Sequence, residues 1–289
     1  MGLFLSNLNF GFTVTSAINP KGNFEIPKIM GIINLSPDSF YPDSRVPSVS
    51  AALKVAERMI EEGADYLDVG AESSRPGAMP ISEEEELSII LPVISHLCKD
   101  FRVPVSVDTY KPGVAQTVLD EGASIINDIT GLRYPEMAPI IAEYNAGVII
   151  MHMRGSPENM QEDLEYDDCV GEVKQFLEQG IQTAESAGID SDRIWVDPGI
   201  GFGKTVQQNL EILAHLNSFA SLQKPLLLGT SRKSFIGKIL DLPVAERLEG
   251  SLATAVVGVM KGARILRVHD VQETCRAVKI ASEILKVQK

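Results

Sequence analysis

A parallel (β/α)8 barrel is the fold class this sequence predicts, and three observations predict it. Short apolar, β-rich runs recur eight times, helix-like stretches separate them, and nearly every run ends in polar residues. An open doubly wound sheet, the main alternative, would gather its polar ends at one switch point instead. The expected architecture is one domain over 1–289, with the barrel from about residue 27 and 1–26 as a short N-terminal strand or hairpin extension.

The runs are "KIMGIIN" (28–34), "ADYLDVG" (64–70), "VPVSVD" (103–108), "ASIIND" (123–128), "GVIIMH" (147–152), "RIWVD" (193–197), "PLLLG" (225–229) and "ARILRVH" (263–269). Between the first two, "PSVSAALKVAERMIEEGA" repeats apolar residues at three- and four-residue spacing, the period of a helix face, and stops at Gly63. "SEEEELSIILPVISHL" opens with Ser82 and Glu85 spaced as a capping box, and its acidic first turn suits the helix dipole. "DVQETCRAVKIASEILK" reads as a closing amphipathic helix with Asp270 as its N-cap.

Composition narrows the function. With 44% apolar and 22% charged residues, the chain can build a large core. A net charge of −13 argues against nucleic-acid and membrane-surface partners, which require an excess of Lys and Arg. It does not forbid an anionic small molecule, because local residues set the field in a pocket. No apolar run reaches the roughly 18 residues of a membrane span. The start lacks the basic stretch of a signal peptide, and "MGLFLS", which fits a loose myristoylation pattern, reads more simply as a leading strand. Cys98, Cys169 and Cys275 are far apart with no CxxC pair, so they read as reduced thiols of a cytoplasmic protein rather than as a zinc site or disulfides.

"WVDPGIGFGKT" (195–205) imitates a phosphate-binding loop. The P-loop needs a glycine five residues before its Gly-Lys pair, and that position is Pro198, which has no N–H to offer. The dinucleotide fingerprint fails as well, because Lys204 stands where its third glycine belongs.

In a barrel, strand C-terminal ends converge on one mouth. Those ends here are Asn34, Asp68, Asp108, Asn127–Asp128, His152, Asp197, Ser231–Arg232–Lys233, and Arg267 with His269. Any one of them alone is ordinarily a turn or cap residue. Together, Asp108, Asn127 and Asp197 suit the guanidine-like edge of a heterocycle, while Arg75, Arg267 and His269 suit an anion.

The motifs "MGIINLSPDSF", "DVGAESSRPGA", "SVDTYKPGVA", "IINDITG", "MHMRG", "DPGIGFGKT", "GTSRKSFIG", "RLEGSLATAV" and "RVHDV" follow one another in this order. Through them the chain resembles the dihydropteroate synthases, enzymes of folate biosynthesis, from about residue 27 to the end. The resemblance implies condensation of 6-hydroxymethyl-7,8-dihydropterin pyrophosphate with 4-aminobenzoate to 7,8-dihydropteroate and pyrophosphate, assisted by Mg2+. It implies a pterin clamp of Asp108, Asn127, Asp197 and Lys233 with Met151 on the ring, and diphosphate contacts from Asn34, Arg75, Arg267 and His269. Asn34 is also the implied Mg2+ ligand, and Ser74, Phe202, Lys233 and Ser234 would frame aminobenzoate. The residues expected to carry catalysis are Asn34, Asp108, Lys233, Arg267 and His269.

The glycine-rich "GIGFG" would then serve close approach, setting Phe202 as a wall for aminobenzoate. The family also suggests a homodimer, for which "GSLATAVVGVMKGA" is a candidate surface, although a buried barrel helix explains it as well. The sequence departs from the family pattern after "PDSF", where "YPDSR" brings in Pro42 and omits a glycine pair, and at Ser74, where Thr is usual. Two alternatives stay open: a pterin-binding paralogue with impaired turnover, and a methyltetrahydrofolate–corrinoid methyltransferase, which would need no diphosphate clamp.

Overall fold

The computed structural model describes residues 26–35, 48–73, 75 and 77–287. The expected N-terminal extension (apart from Ile26), the departing segment with Pro42, and Ser74 lie outside the described residues. Among the described residues there are eight strands: β1 Lys28–Asn34, β2 Tyr66–Gly70, β3 Val105–Asp108, β4 Ile125–Asp128, β5 Gly147–Met151, β6 Ile194–Asp197, β7 Leu227–Leu228 and β8 Ile265–Val268. All pair in parallel in the order β6-β5-β4-β3-β2-β1-β8-β7, and a bridge between Val196 and Leu226 joins the two ends. The barrel expectation is met, and the open sheet is not.

Helices α1 Val49–Glu61, α2 Glu83–Asp100, α3 Pro112–Asp120, α4 Met137–Glu143, α5 Cys169–Ser186 and α6 Val206–Ala214 follow strands one to six in turn. Two helices, α7 Ser234–Leu240 and α8 Leu248–Met260, lie between β7 and β8, and α9 Val271–Lys286 follows β8. Local chemistry sets their limits. The Ser48 hydroxyl accepts from the Ala51 N–H to open α1, and Gly63 at φ 106° turns the chain after it, a conformation glycine adopts without strain. Ser82 likewise accepts from the Glu85 N–H, and four glutamates fill the first turn of α2. A reciprocal capping box forms at Thr205 and Gln208, ahead of α6. Asp270 precedes α9 as expected but gives it no side-chain cap, because both its carboxylate oxygens are held by Arg232.

Two clusters make up most of the core. Aliphatic residues of the strands' outer faces, such as Ile33, Leu67, Val107, Ile126 and Ile150, pack beneath the helix ring. Each contributes about 1.5–3 kcal/mol by leaving water. Inside the barrel, Met30, Tyr66, Ile125, Ile149, Trp195, Leu227 and Ile265 form an apolar layer, with Tyr66 edge-on to Trp195 at 5.2 Å. This plug makes the barrel a closed-bottomed cup.

Candidate active site

Above the plug the interior turns polar. Strand register sets Asn34 beside Gly70, Gly70 beside Asp108, and Asp108 beside Asn127, while Met151 stands beside Asp197. Of the expected site residues, Asn34, Arg75, Asp108, Asn127, Met151, Asp197, Phe202, Lys233, Ser234, Arg267 and His269 all line one cavity at the C-terminal mouth. Ser74 lies outside the described residues.

Arg267, on β8, organises the floor of this cavity. Its Nε and Nη2 both reach Asp68 Oδ2 at 2.6 Å, and Nη2 reaches Asp108 Oδ2 at 2.8 Å. Asp68, on β2, is fully buried, and its Oδ2 also accepts from Asn127 Nδ2 at 3.4 Å. Charges so buried persist only when paired and hydrogen-bonded, which the β8 guanidinium accomplishes for two strands at once. None of these three contacts uses Nη1. Burial pushes the Asp108 carboxyl up to about 7, with the Arg267 guanidinium pulling the other way.

Asp197 closes β6, 5% exposed, and accepts the Gly199 N–H at 2.7 Å. Desolvation raises its pKa, opposed by that hydrogen bond and by Lys233. Burial and the Arg267 charge bring Lys233 down to about 8. Its Nζ stands 3.9 Å from the centre of the Phe202 ring, a cation–π contact across the cavity wall. Burial, with Arg267, Arg232 and Lys233 nearby, drives His269 down to about 3, so in the ligand-free site it is neutral; its Nδ1 lies 3.0 Å from Ser231 Oγ.

The glycines of the loop make the close approaches the sequence suggests. A Cβ on Gly199 would fall 1.8 Å from the His152 carbonyl oxygen, and one on Gly203 within about 3 Å of Arg154 backbone and side chain. Both glycines have positive φ, 67° and 59°. The loop thus lies flat against the segment after β5, and Phe202 turns inward beside Met151, Met153, Met160 and Ile129.

Three residues carry more than the sequence revealed. Asp68 reads from sequence as a strand end without a role, yet it anchors Arg267. Glu72 lines the cavity and fastens the β2 loop to the β3 loop, accepting from Tyr110 OH at 2.8 Å, from the Ile81 N–H at 3.1 Å and from Lys111 Nζ. Met160 reaches the cavity from an irregular segment that shows no period in sequence. Among the described residues no group of three or more His, Cys, Asp or Glu side chains is arranged to hold a metal, and no helix is long and apolar enough to cross a membrane.

Comparison with known proteins agrees with this geometry. The family model described as "Pterin binding enzyme" matches residues 30–269. Dihydropteroate synthase of Bacillus subtilis is 45% identical over 274 residues, covering 94% of this chain and 93% of the relative. The crystal structure of Yersinia pestis dihydropteroate synthase in a sulfonamide drug complex superposes with TM-score 0.87 at 42% identity, over 90% of this chain and 94% of that one. The Xanthomonas albilineans enzyme with 4-aminobenzoic acid gives TM-score 0.85 at 40% identity, over 94% and 100%. By the match along most of its length, and by the barrel mouth these residues build, the chain belongs to the pterin-binding enzyme family.

Proposed function

We propose that the chain is a dihydropteroate synthase, joining 6-hydroxymethyl-7,8-dihydropterin pyrophosphate to 4-aminobenzoate and releasing pyrophosphate. The carrying observation is the pairing, in one cavity, of buried Asn127 and Asp197 and half-buried Asp108 with cations and an aromatic wall (Arg75, Arg267, Lys233, Phe202). The amide and carboxylates match the N–H-rich edge of a pterin, the cations match diphosphate, and Phe202 with Lys233 matches an aromatic carboxylate.

Asp197, Asp108, Asn127 and Lys233 hold the pterin edge, with Met151 against the ring face. Arg75, Arg267 and His269 take the diphosphate, whose charge raises the pKa of His269 from its ligand-free value and favours imidazolium. Breaking the methylene C–O bond sends its electron pair to pyrophosphate and leaves a cation stabilised by the pterin. The amine of aminobenzoate, framed by Phe202, Lys233 and Ser234, and by Ser74 as sequence implies, forms the C–N bond and then releases its proton. No strong general base is required, because the amine becomes acidic only after bonding. Asn34, at the mouth, would offer an Mg2+ one neutral oxygen ligand. Such an ion offsets charge on the leaving group.

A homodimer fits the exposed apolar residues Val257 and Met260 of α8 and Ile280 and Ile284 of α9. The other face of α8 (Ser251, Ala255, Gly258, Val259) is buried, so the small-residue stretch serves the barrel on that side. The three separate thiols fit the cytoplasm.

The decisive assay is pyrophosphate release on mixing both substrates with Mg2+. Release only when both are present supports the synthase. Pterin binding without release would mean an impaired paralogue, and methyl transfer from methyltetrahydrofolate to a corrinoid would mean the other enzyme.

A further inference from the structure

Lys204, the lysine that makes "GFGKT" imitate a phosphate-binding loop, has no part in the proposed chemistry. It is 4% exposed and does not line the cavity. Its Nζ donates to the Gly199 carbonyl at 3.0 Å and to the Phe202 carbonyl at 2.9 Å, and lies 2.8 Å from His152 Nδ1. The two carbonyls stand at opposite ends of the turn that presents Phe202, and the Phe202 N–H closes that turn on Gly199 O at 3.1 Å. Other side chains hold neighbouring backbone groups of the loop: Asp197 Oδ1 takes the Gly199 N–H at 2.7 Å, Asn209 Oδ1 takes the Gly201 N–H at 2.6 Å, and Tyr166 OH donates to Gly203 O at 2.9 Å. On the Phe202 carbonyl itself, Lys204 supplies the side-chain restraint.

We propose that Lys204 is a positioning residue, knotting the glycine loop from behind so that Phe202 is held as the aminobenzoate wall beneath Lys233. An ammonium carries three donors, and three acceptors surround this one. His152 is available as the third because it is buried and held neutral; desolvation, and then the Lys204 charge, bring it down to about 2. The knot also survives loss of a proton, since burial brings Lys204 itself down to about 7. A neutral amine still donates to both carbonyls and accepts from the other imidazole tautomer. The loop needs such a restraint because its glycines at 199, 201 and 203 all have positive φ and little intrinsic stiffness. A backbone shift of about an ångström at Phe202 would spoil the wall without touching the pterin clamp.

The inference rests on the synthase reading, and a double-mutant cycle tests it. Steady-state kinetics would be measured for the unaltered protein, Lys204→Met, Phe202→Ala and the double variant, alongside calorimetry with phosphate-free pterin. Lys204→Met should raise the KM for aminobenzoate about tenfold, with kcat and pterin affinity changed less than about threefold. In the Phe202→Ala background the same substitution should change that KM by less than about twofold, because the group it positions is gone. A general folding role would instead add its full effect in both backgrounds and weaken pterin equally; either result overturns the proposal. Should Lys204→Met fail to fold, Lys204→Gln, which keeps two N–H donors for the carbonyls, takes its place, with an expected KM rise of about threefold and the same loss of effect beside Phe202→Ala. If the unaltered protein itself releases no pyrophosphate, the synthase reading fails; if it turns over and the cycle is additive, only the role of Lys204 fails.

Discussion

Arg267→Ala should cost more stability than any single substitution at an exposed ion pair, and the cost should grow with pH. The substitution removes the Arg267 contacts with Asp68 at 2.6 Å and with Asp108 at 2.8 Å. Asp68, fully buried, would keep only the 3.4 Å contact from Asn127 on that oxygen. Breaking a buried ion pair from one side costs about 3–5 kcal/mol, because the stranded charge cannot recover its hydration.

The pH dependence follows from Asp108. Its folded pKa of about 7 lies above the ordinary carboxyl value of 3.8, so between them the folded state holds a proton that the unfolded chain releases. For the unaltered protein this term therefore lowers stability as pH rises toward about 7. Arg267 pulls that pKa down, so without it the decline continues past 7. One further pH unit adds about 1.4 kcal/mol, so the deficit at about pH 8 should exceed that at about pH 6 by roughly this amount. Urea unfolding followed by far-ultraviolet circular dichroism at both pH values measures it. A deficit under about 1 kcal/mol, or one independent of pH, would refute the reasoning that Arg267 neutralises two strands at once. Calorimetry adds a second reading: phosphate-free pterin should bind more weakly too, since Asp108 loses its anchor, whereas an arginine serving only the anion would spare it.

Three further outcomes are expected. Asp197→Asn should weaken pterin binding by about 10- to 150-fold in calorimetry, the value of about 1.5–3 kcal/mol for a hydrogen bond to a charged group. Its thermal midpoint at neutral pH should not fall, because burial disfavours the Asp197 charge in the free protein. Gly199→Ala should lower the unfolding free energy measured in urea by more than about 2 kcal/mol, since its Cβ would meet the His152 carbonyl oxygen at 1.8 Å at a positive φ; a neutral result would mean the loop is free to move outward. Lys233, near 8, is cationic below that pH and neutral above it. The KM for aminobenzoate should therefore rise through about pH 8, and Lys233→Arg should flatten that rise.

At three strands the end was legible in sequence and the start was not, for a physical reason. The runs at 64–70, 103–108 and 123–128 end where β2, β3 and β4 end, but each strand begins two residues later than its run. Ala64 and Ala123 are buried, at 7% each, without being paired in the sheet. Their N–H groups instead close the preceding helices, on Met59 O and Val118 O, just past Gly63 and Gly122. Burial there belongs to the helix C-terminus, and an apolar run cannot distinguish it from strand. At the other end polarity changes abruptly where the barrel opens, so the boundary is written in residue type.

In the site, residue types were legible and partnerships were not. Arg267 meets Asp68 and Asp108 across 199 and 159 residues of sequence, and Arg232 meets Asp270 across 38. No local period encodes which cation faces which carboxylate; barrel closure and register decide it. That is why Asp68, in the fully buried strand β2, reads as one more polar strand residue until Arg267 is seen against it. The same geometry reconciles an acidic chain with an anionic substrate. Among the described residues, the cavity is lined by Arg75, Arg232, Lys233 and Arg267 against Glu72, Asp108 and Asp197, while the chain as a whole carries −13. Charges beyond a Debye length of about 8 Å are largely screened across solvent, so the substrate experiences this lining and the carboxylates directly behind it more than the total of −13. Composition fixes the sum over the molecule, but the fold chooses which charges stand at the mouth, and here it selects the cations for the cavity while Asp68 and Asp270 hold two of them from behind.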